Sequence, residues 1–176
     1  MEHEFISGRG AQQNIHNVFS KLSYTQDHIE GIDDWEQDIP NTQFTIIHPK
    51  TIVNKVSSPD VGMEYSANPY QGCEHGCIYC YARNSHQYWG YSAGLDFESK
   101  ILVKSNSPKL FRDFITRKNW DGTPISLSGN TDCYQPLERK FKLTRAILKI
   151  SLEHGQPVGI ITKNSLILRD LDILKE

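Results

Sequence analysis

The chain has 176 residues, 38% of them hydrophobic and 23% charged, an ordinary balance for a globular domain able to bury one hydrophobic core. Its formal net charge of −2 lacks the basic bias that a nucleic-acid backbone asks for, so nucleic acid stays open as a partner only through a local basic groove. The polar, acidic start MEHEFISGRG, with no apolar run near the roughly 18 residues that cross a bilayer, predicts a cytoplasmic protein with no membrane partner.

Residues 1–61 predict an irregular N-terminal extension wrapped over a core further on. They are rich in Gln, Asn, Asp and Ser, are broken by Gly8, Gly10 and Gly31, and carry little sustained periodicity. Within them Phe44–Ile47 and Thr51–Val53 read as short strands, and Trp35–Pro40 reads as a linker.

The pattern changes at Gly62, and residues 62–176 predict the core domain. Met63–Ala67 reads as a strand leading into the turn Asn68–Gly72 and a cysteine cluster, with a short helix over Ile78–Tyr88. The β-branched run Lys100–Lys104 is a second strand, followed by a helix with Ser107 as N-cap and Pro108 at its first position. Pro124–Ser128 is a third strand, with a polar loop from Gly129 to Pro136 and a long amphipathic helix over Leu137–His154, which Gly155 ends in the left-handed conformation. Val158–Thr162 is a fourth, buried strand, and Asn164 caps a helix carrying Leu166, Leu168, Leu171 and Leu174.

Strands alternating with helices predict an α/β fold with a parallel sheet, about four βα units forming a partial (β/α) barrel or an open sheet. Ligands then belong at the carboxyl ends of the strands. The pattern stops inside the fourth helix, short of the about 250 residues common for a full barrel, so the sequence reads as truncated on its C-terminal side.

Of the four cysteines, Cys73, Cys77 and Cys80 lie within eight residues in the order C-x3-C-x2-C, and Cys133 stands alone. In a reducing compartment such a cluster points to metal rather than disulfides. Three close thiolates hold three irons of a cubane and leave the fourth iron open, where the amino and carboxylate groups of S-adenosylmethionine can bind. Two other readings fit the same residues. One is a zinc-stabilised binding module completed by His75 or His86, and the other is a closed electron-transfer cluster completed by Cys133. Cys133 is otherwise a small buried residue, and the two histidines are otherwise local hydrogen-bonding groups.

The cysteine motif, with Tyr79 just before its last member, resembles the signature of the radical S-adenosylmethionine (radical SAM) superfamily. The longer string Asn68–Arg83 (NPYQGCEHGCIYCYAR), with GLDFE at Gly94–Glu98, SGNTDCYQPLE at Ser128–Glu138 and TKNS at Thr162–Ser165, is similar to the spore photoproduct lyase-like branch, whose members are often labelled DNA repair photolyases. The resemblance runs from about Arg9 to the last residue. It implies a partial barrel of the radical SAM type, a 4Fe–4S cluster on Cys73, Cys77 and Cys80, and reductive cleavage of S-adenosylmethionine to a 5′-deoxyadenosyl radical. It further implies an electron donor of the flavodoxin or ferredoxin type and, by family analogy, nucleic-acid repair.

Residue by residue, the resemblance implies that Tyr79 lies near the adenine. Ser128 and Lys163, at the carboxyl ends of the third and fourth strands, would hold the aminocarboxylate and ribose region. Thr131, Asp132, Tyr134 and Gln135 would lie in a polar loop above the same face, a loop read equally well as a helix cap with Glu138 near the positive end of the helix dipole. Lys104 and Glu98 flank the second strand. Cys133 stands where the branch carries Pro, and no residue of this chain matches the hydrogen-donor cysteine that a spore photoproduct lyase places in its later part.

Overall fold

A computed structural model describes residues 5–21, 41–58, 60 and 62–176. The Trp35–Pro40 linker and the Gly31 break lie outside the described residues. The β-branched run forms strand β5 (Lys100–Lys104), whose Ile101, Leu102 and Val103 are all buried. It pairs in parallel with β1 (Gln43–Ile47), Gln43 opposite Lys100 through Ile47 opposite Lys104, and antiparallel with the short β4 (Tyr70–Gln71).

A second sheet holds four strands. In it β2 (Val53–Lys55) is antiparallel to β3 (Tyr65–Ala67), while β3, β6 (Ile125–Leu127) and β7 (Val158–Ile160) are mutually parallel. The fold is therefore mixed α/β, as the alternation predicts, but the predicted series of consecutive units is split. β3 pairs directly with β6, β5 belongs to the other sheet, and among the described residues no barrel is closed.

The split has a local cause at Asn68-Pro69. The Asn68 side chain turns the chain by accepting the Tyr70 N–H at 3.0 Å and donating to the Thr131 carbonyl. Pro69 has no N–H for a ladder, and its carbonyl accepts the Lys104 N–H at 2.9 Å. What begins as β3 in one sheet continues as β4 in the other.

Helix α1 (Leu95–Ser99) precedes β5, and α2 (Ser107–Ile115) follows it with Asn106, not Ser107, at the N-cap and Pro108 in the first turn. The predicted helix over Leu137–His154 is two helices, α3 (Glu138–Phe141) and α4 (Leu143–Glu153), parted at Lys142, which adopts φ 52°. The break is set by Glu138. Its buried carboxylate accepts the N–H groups of Thr144 at 3.0 Å and Arg145 at 3.2 Å, satisfying donors that the start of α4 leaves without helical partners. The same carboxylate takes the Tyr70 hydroxyl and the Arg169 guanidinium, tying β4 to the C-terminal segment.

Gly155 takes φ 61°, and Asn164 accepts the Leu166 N–H at 2.9 Å, both as predicted. Asn164 caps a 3₁₀ helix, Ser165–Asp170, which leads into α5 (Leu171–Leu174). β7 is shorter than predicted and half-exposed at the sheet edge, and Leu168 faces outward at 62% exposure. Leu166, Ile167 and Ile173 make the apolar contacts there, against a core of Ile125, Leu127, Phe111 and Ile147. Among the described residues no helix is long and apolar enough to cross a membrane.

Candidate metal centre

The cysteine loop leaves β4 and enters a 3₁₀ helix, Tyr81–Trp89, where the sequence predicts a helix over Ile78–Tyr88. Gly72 at φ 81° and Gly76 at φ 61° turn the backbone in a region that disfavours any side chain. A Cβ on Gly72 would press on the Phe97 and Lys100 carbonyls at about the 3.0–3.1 Å level. Cys73 is buried against Ala82 and Phe97, whereas Cys77 and Cys80 are half-exposed, and all three thiols are free. Burial pushes the Cys73 thiol up to about 11, so a metal that binds there must displace its proton.

The loop is held by its backbone. The Cys73 N–H donates to the Phe97 carbonyl at 2.8 Å, and the Cys80 N–H donates to the Cys77 carbonyl at 3.2 Å. Arg83 donates to the Cys77 carbonyl through Nε at 3.3 Å and Nη2 at 2.9 Å, and the same guanidinium pairs with the fully buried Glu98. Glu98, which sequence reasoning gave little weight, is thus bound to the loop through Arg83.

From the other side, the ends of β6 and β7 close on the loop through Asp132. Its carboxylate accepts the Tyr134 N–H at 2.8 Å, the Thr162 hydroxyl at 2.8 and 3.0 Å, and the Lys163 N–H at 3.2 Å. His75 Nε2, between the first two cysteines, stands 3.3 Å from Asp132 Oδ2. Burial raises the Asp132 carboxyl, but the neighbouring His75 ring and the hydrogen bonds from Thr162 and the two backbone N–H groups outweigh it and hold it below the usual range. Lys163 extends from this support to place Nζ 2.8 Å from Cys77 Sγ, a contact that raises the affinity of the amine for its proton.

The remaining predicted site residues divide. Ser128 follows β6 in the left-handed region at φ 81°, and its hydroxyl accepts the Cys133 N–H at 3.1 Å. Tyr79 is exposed beside Cys80. Of the polar loop, Asp132 stands beside His75 of the cysteine loop. Thr131, Tyr134 and Gln135 are buried, donating to the Tyr70 carbonyl, the Asp170 carboxylate and the Gly72 carbonyl respectively, so they hold the loop rather than line an opening. Lys104 donates to the Asn68 carbonyl at 3.0 Å, and burial lowers its ammonium to about 8.

Cys133 is fully buried in the core with Ile125 and Leu127, and its thiol is pushed up to about 12. His86, expected to be a hydrogen-bonding residue, is instead packed between the Tyr91 and Phe97 rings, with neither ring nitrogen hydrogen-bonded.

Among the described residues no three His, Cys, Asp or Glu side chains are grouped as ligands of a single ion. A four-iron cube makes a different demand, because each thiolate goes to a separate iron and the ligands stand further apart. Three free thiols on one glycine-turned loop, one of them met by an ammonium, are a donor set that fits a cluster with three protein ligands and a net negative charge.

The chain is similar to proteins from distant organisms. It is 35% identical over 128 residues to an uncharacterized protein of Mycobacterium tuberculosis, a match covering 72% of this chain and 38% of that one. It is 38% identical over 130 residues to an uncharacterized protein of Methanocaldococcus jannaschii, covering 74% and 46%. A protein of Acidianus two-tailed virus is 28% identical over 144 residues, covering 77% and 47%. The chain therefore spans less than half the length of these relatives. No family profile matches it, and no solved structure matches significantly.

Proposed function

We propose that the chain is a radical SAM enzyme, or the part of one that carries the cluster, with a partial-barrel core of that superfamily. The observation that carries this reading is the contact of the Lys163 ammonium, supplied from the end of β7, with Cys77 Sγ on a loop that carries three free thiols. When bound, a 4Fe–4S cluster with one open iron supplies the electron that cleaves S-adenosylmethionine to a 5′-deoxyadenosyl radical.

The chain's own residues have separable tasks. Cys73, Cys77 and Cys80 ligate three irons. Lys163, with its backbone fixed by Asp132, presents a point charge suited to the carboxylate of the cofactor. Ser128, turned at the end of β6, offers a hydroxyl that already accepts the Cys133 N–H and can still donate, and the exposed Tyr79 ring offers an adenine a stacking surface. Electrons come from a small reducing partner of the flavodoxin or ferredoxin type. The substrate is an organic molecule with an unactivated C–H bond, nucleic acid being one class by family analogy.

Anaerobic reconstitution with iron and sulfide tests the reading by composition. About four irons and four sulfides per chain are expected, falling to background in Cys73→Ala, Cys77→Ala and Cys80→Ala. Stoichiometric zinc with no bound sulfide would refute it in favour of the zinc module.

A further inference from the structure

We propose that residues 9–18 form a strap that positions the cysteine loop, and that Glu98 is the positioning residue through which the strap acts. The inference rests on the cluster reading for what the loop holds, but not for how the loop is held.

The strap leaves Ile15 and Val18 exposed and is joined to residues 87–98 by polar contacts. Asn14 accepts the Asp96 N–H at 2.8 Å and donates to the Asp96 carboxylate at 3.0 Å. The Ile15 N–H donates to Ser92 Oγ, and that hydroxyl donates to the Ile15 carbonyl, both at 2.8 Å. Asn17 donates to the Gln87 and Tyr91 carbonyls at 2.9 and 3.0 Å, and the Val18 N–H donates to Gln87 Oε1 at 2.9 Å. A Cβ on Gly94 would collide with the Gln13 carbonyl, so the two backbones touch.

At its start the strap reaches the cysteines. The Glu98 carboxylate, fully buried, accepts the Gly10 N–H at 3.0 Å and the Ala11 N–H at 2.8 Å while pairing with Arg83. Arg83 in turn holds the Cys77 carbonyl. Gly10 lies so close to Gly76, between Cys73 and Cys77, that a Cβ on it would collide with the Gly76 carbonyl. One buried carboxylate thus links the strap to the carbonyl of one ligand residue, and the strap itself rests on the turn between two of them. Because buried charge-assisted hydrogen bonds are costly to break, this arrangement fixes the loop before any metal arrives.

The test is thiol labelling of the metal-free protein under reducing, anaerobic conditions, read residue by residue as the rate of alkylation by N-ethylmaleimide. Two variants are compared with the parent, Glu98→Gln, which weakens the carboxylate contacts, and Gly10→Ala, which displaces the strap without leaving a buried charge unpaired. Cys133, in the core, reports global opening. The strap account expects Cys73 to react about tenfold faster or more in both variants while Cys133 stays at the parental rate. Unchanged Cys73 in both variants overturns it. So does a matched rise of Cys73 and Cys133 in both, since the effect would then be one of overall stability. The labelling needs no cluster, so its outcome is independent of whether the chain binds iron.

Discussion

Lys163 Nζ stands 2.8 Å from Cys77 Sγ, although the two residues are 86 positions apart in the sequence. The contact joins the loop after β4 to the segment after β7, and it is supported beneath by Asp132, which holds the Lys163 N–H and faces His75. Under the proposed reading, a cation so placed serves an anionic cluster and an incoming carboxylate alike.

Lys163→Ala is therefore expected to leave iron loading intact and to weaken S-adenosylmethionine binding by about tenfold, the size of one hydrogen bond to a charged group. Titration of the reconstituted protein with the cofactor checks this. Unchanged affinity would remove Lys163 from the site.

Cys133→Ala separates the open cluster from the closed one. The thiol sits in the core, so its loss costs about 1 kcal/mol of stability, measured by urea unfolding, while iron and sulfide stay at parental levels. A folded Cys133→Ala variant without a cluster would make Cys133 a ligand and turn the reading toward electron transfer.

Some of this was legible in sequence because the signals are local. Lys100–Lys104 is a β-branched run, Gly155 ends a helix in the left-handed region, and Asn164 caps by its own side chain. The break at Lys142 was not legible, because the apolar pattern runs through it and the cause is the Glu138 carboxylate reaching the N–H groups of Thr144 and Arg145. The sheet split was hidden for a similar reason. Asn68-Pro69 reads as a turn before the cysteines, yet it moves the chain from one sheet to the other by bonds to Thr131 and Lys104.

Of the site, the cysteines and Lys163 were legible as a motif. The roles of Glu98 and Arg83 were not, because they act through the backbone of Cys77 and of a polar segment that shows no periodicity. His86 reads as a polar residue and is packed as an aromatic one.

His86 gives a pH dependence. Burial lowers its imidazole to about 4 against about 6.5 in the unfolded chain, so the folded state binds fewer protons between these values. Stability is full above about pH 6.5 and falls as pH drops toward 4. Urea unfolding at pH 7.5 and 4.5 is expected to show His86→Phe losing about 2–3 kcal/mol less than the parent over that interval. Parallel losses in the two proteins would show that His86 protonates freely in the fold.

The most direct measurement of the central claim is electron paramagnetic resonance of the anaerobically reconstituted, dithionite-reduced protein, with and without S-adenosylmethionine. The account predicts a 4Fe–4S signal whose g-values shift when the cofactor is added, the mark of a ligand arriving at an open iron. A 4Fe–4S signal indifferent to the cofactor, or no cluster on the three cysteines at all, would contradict it.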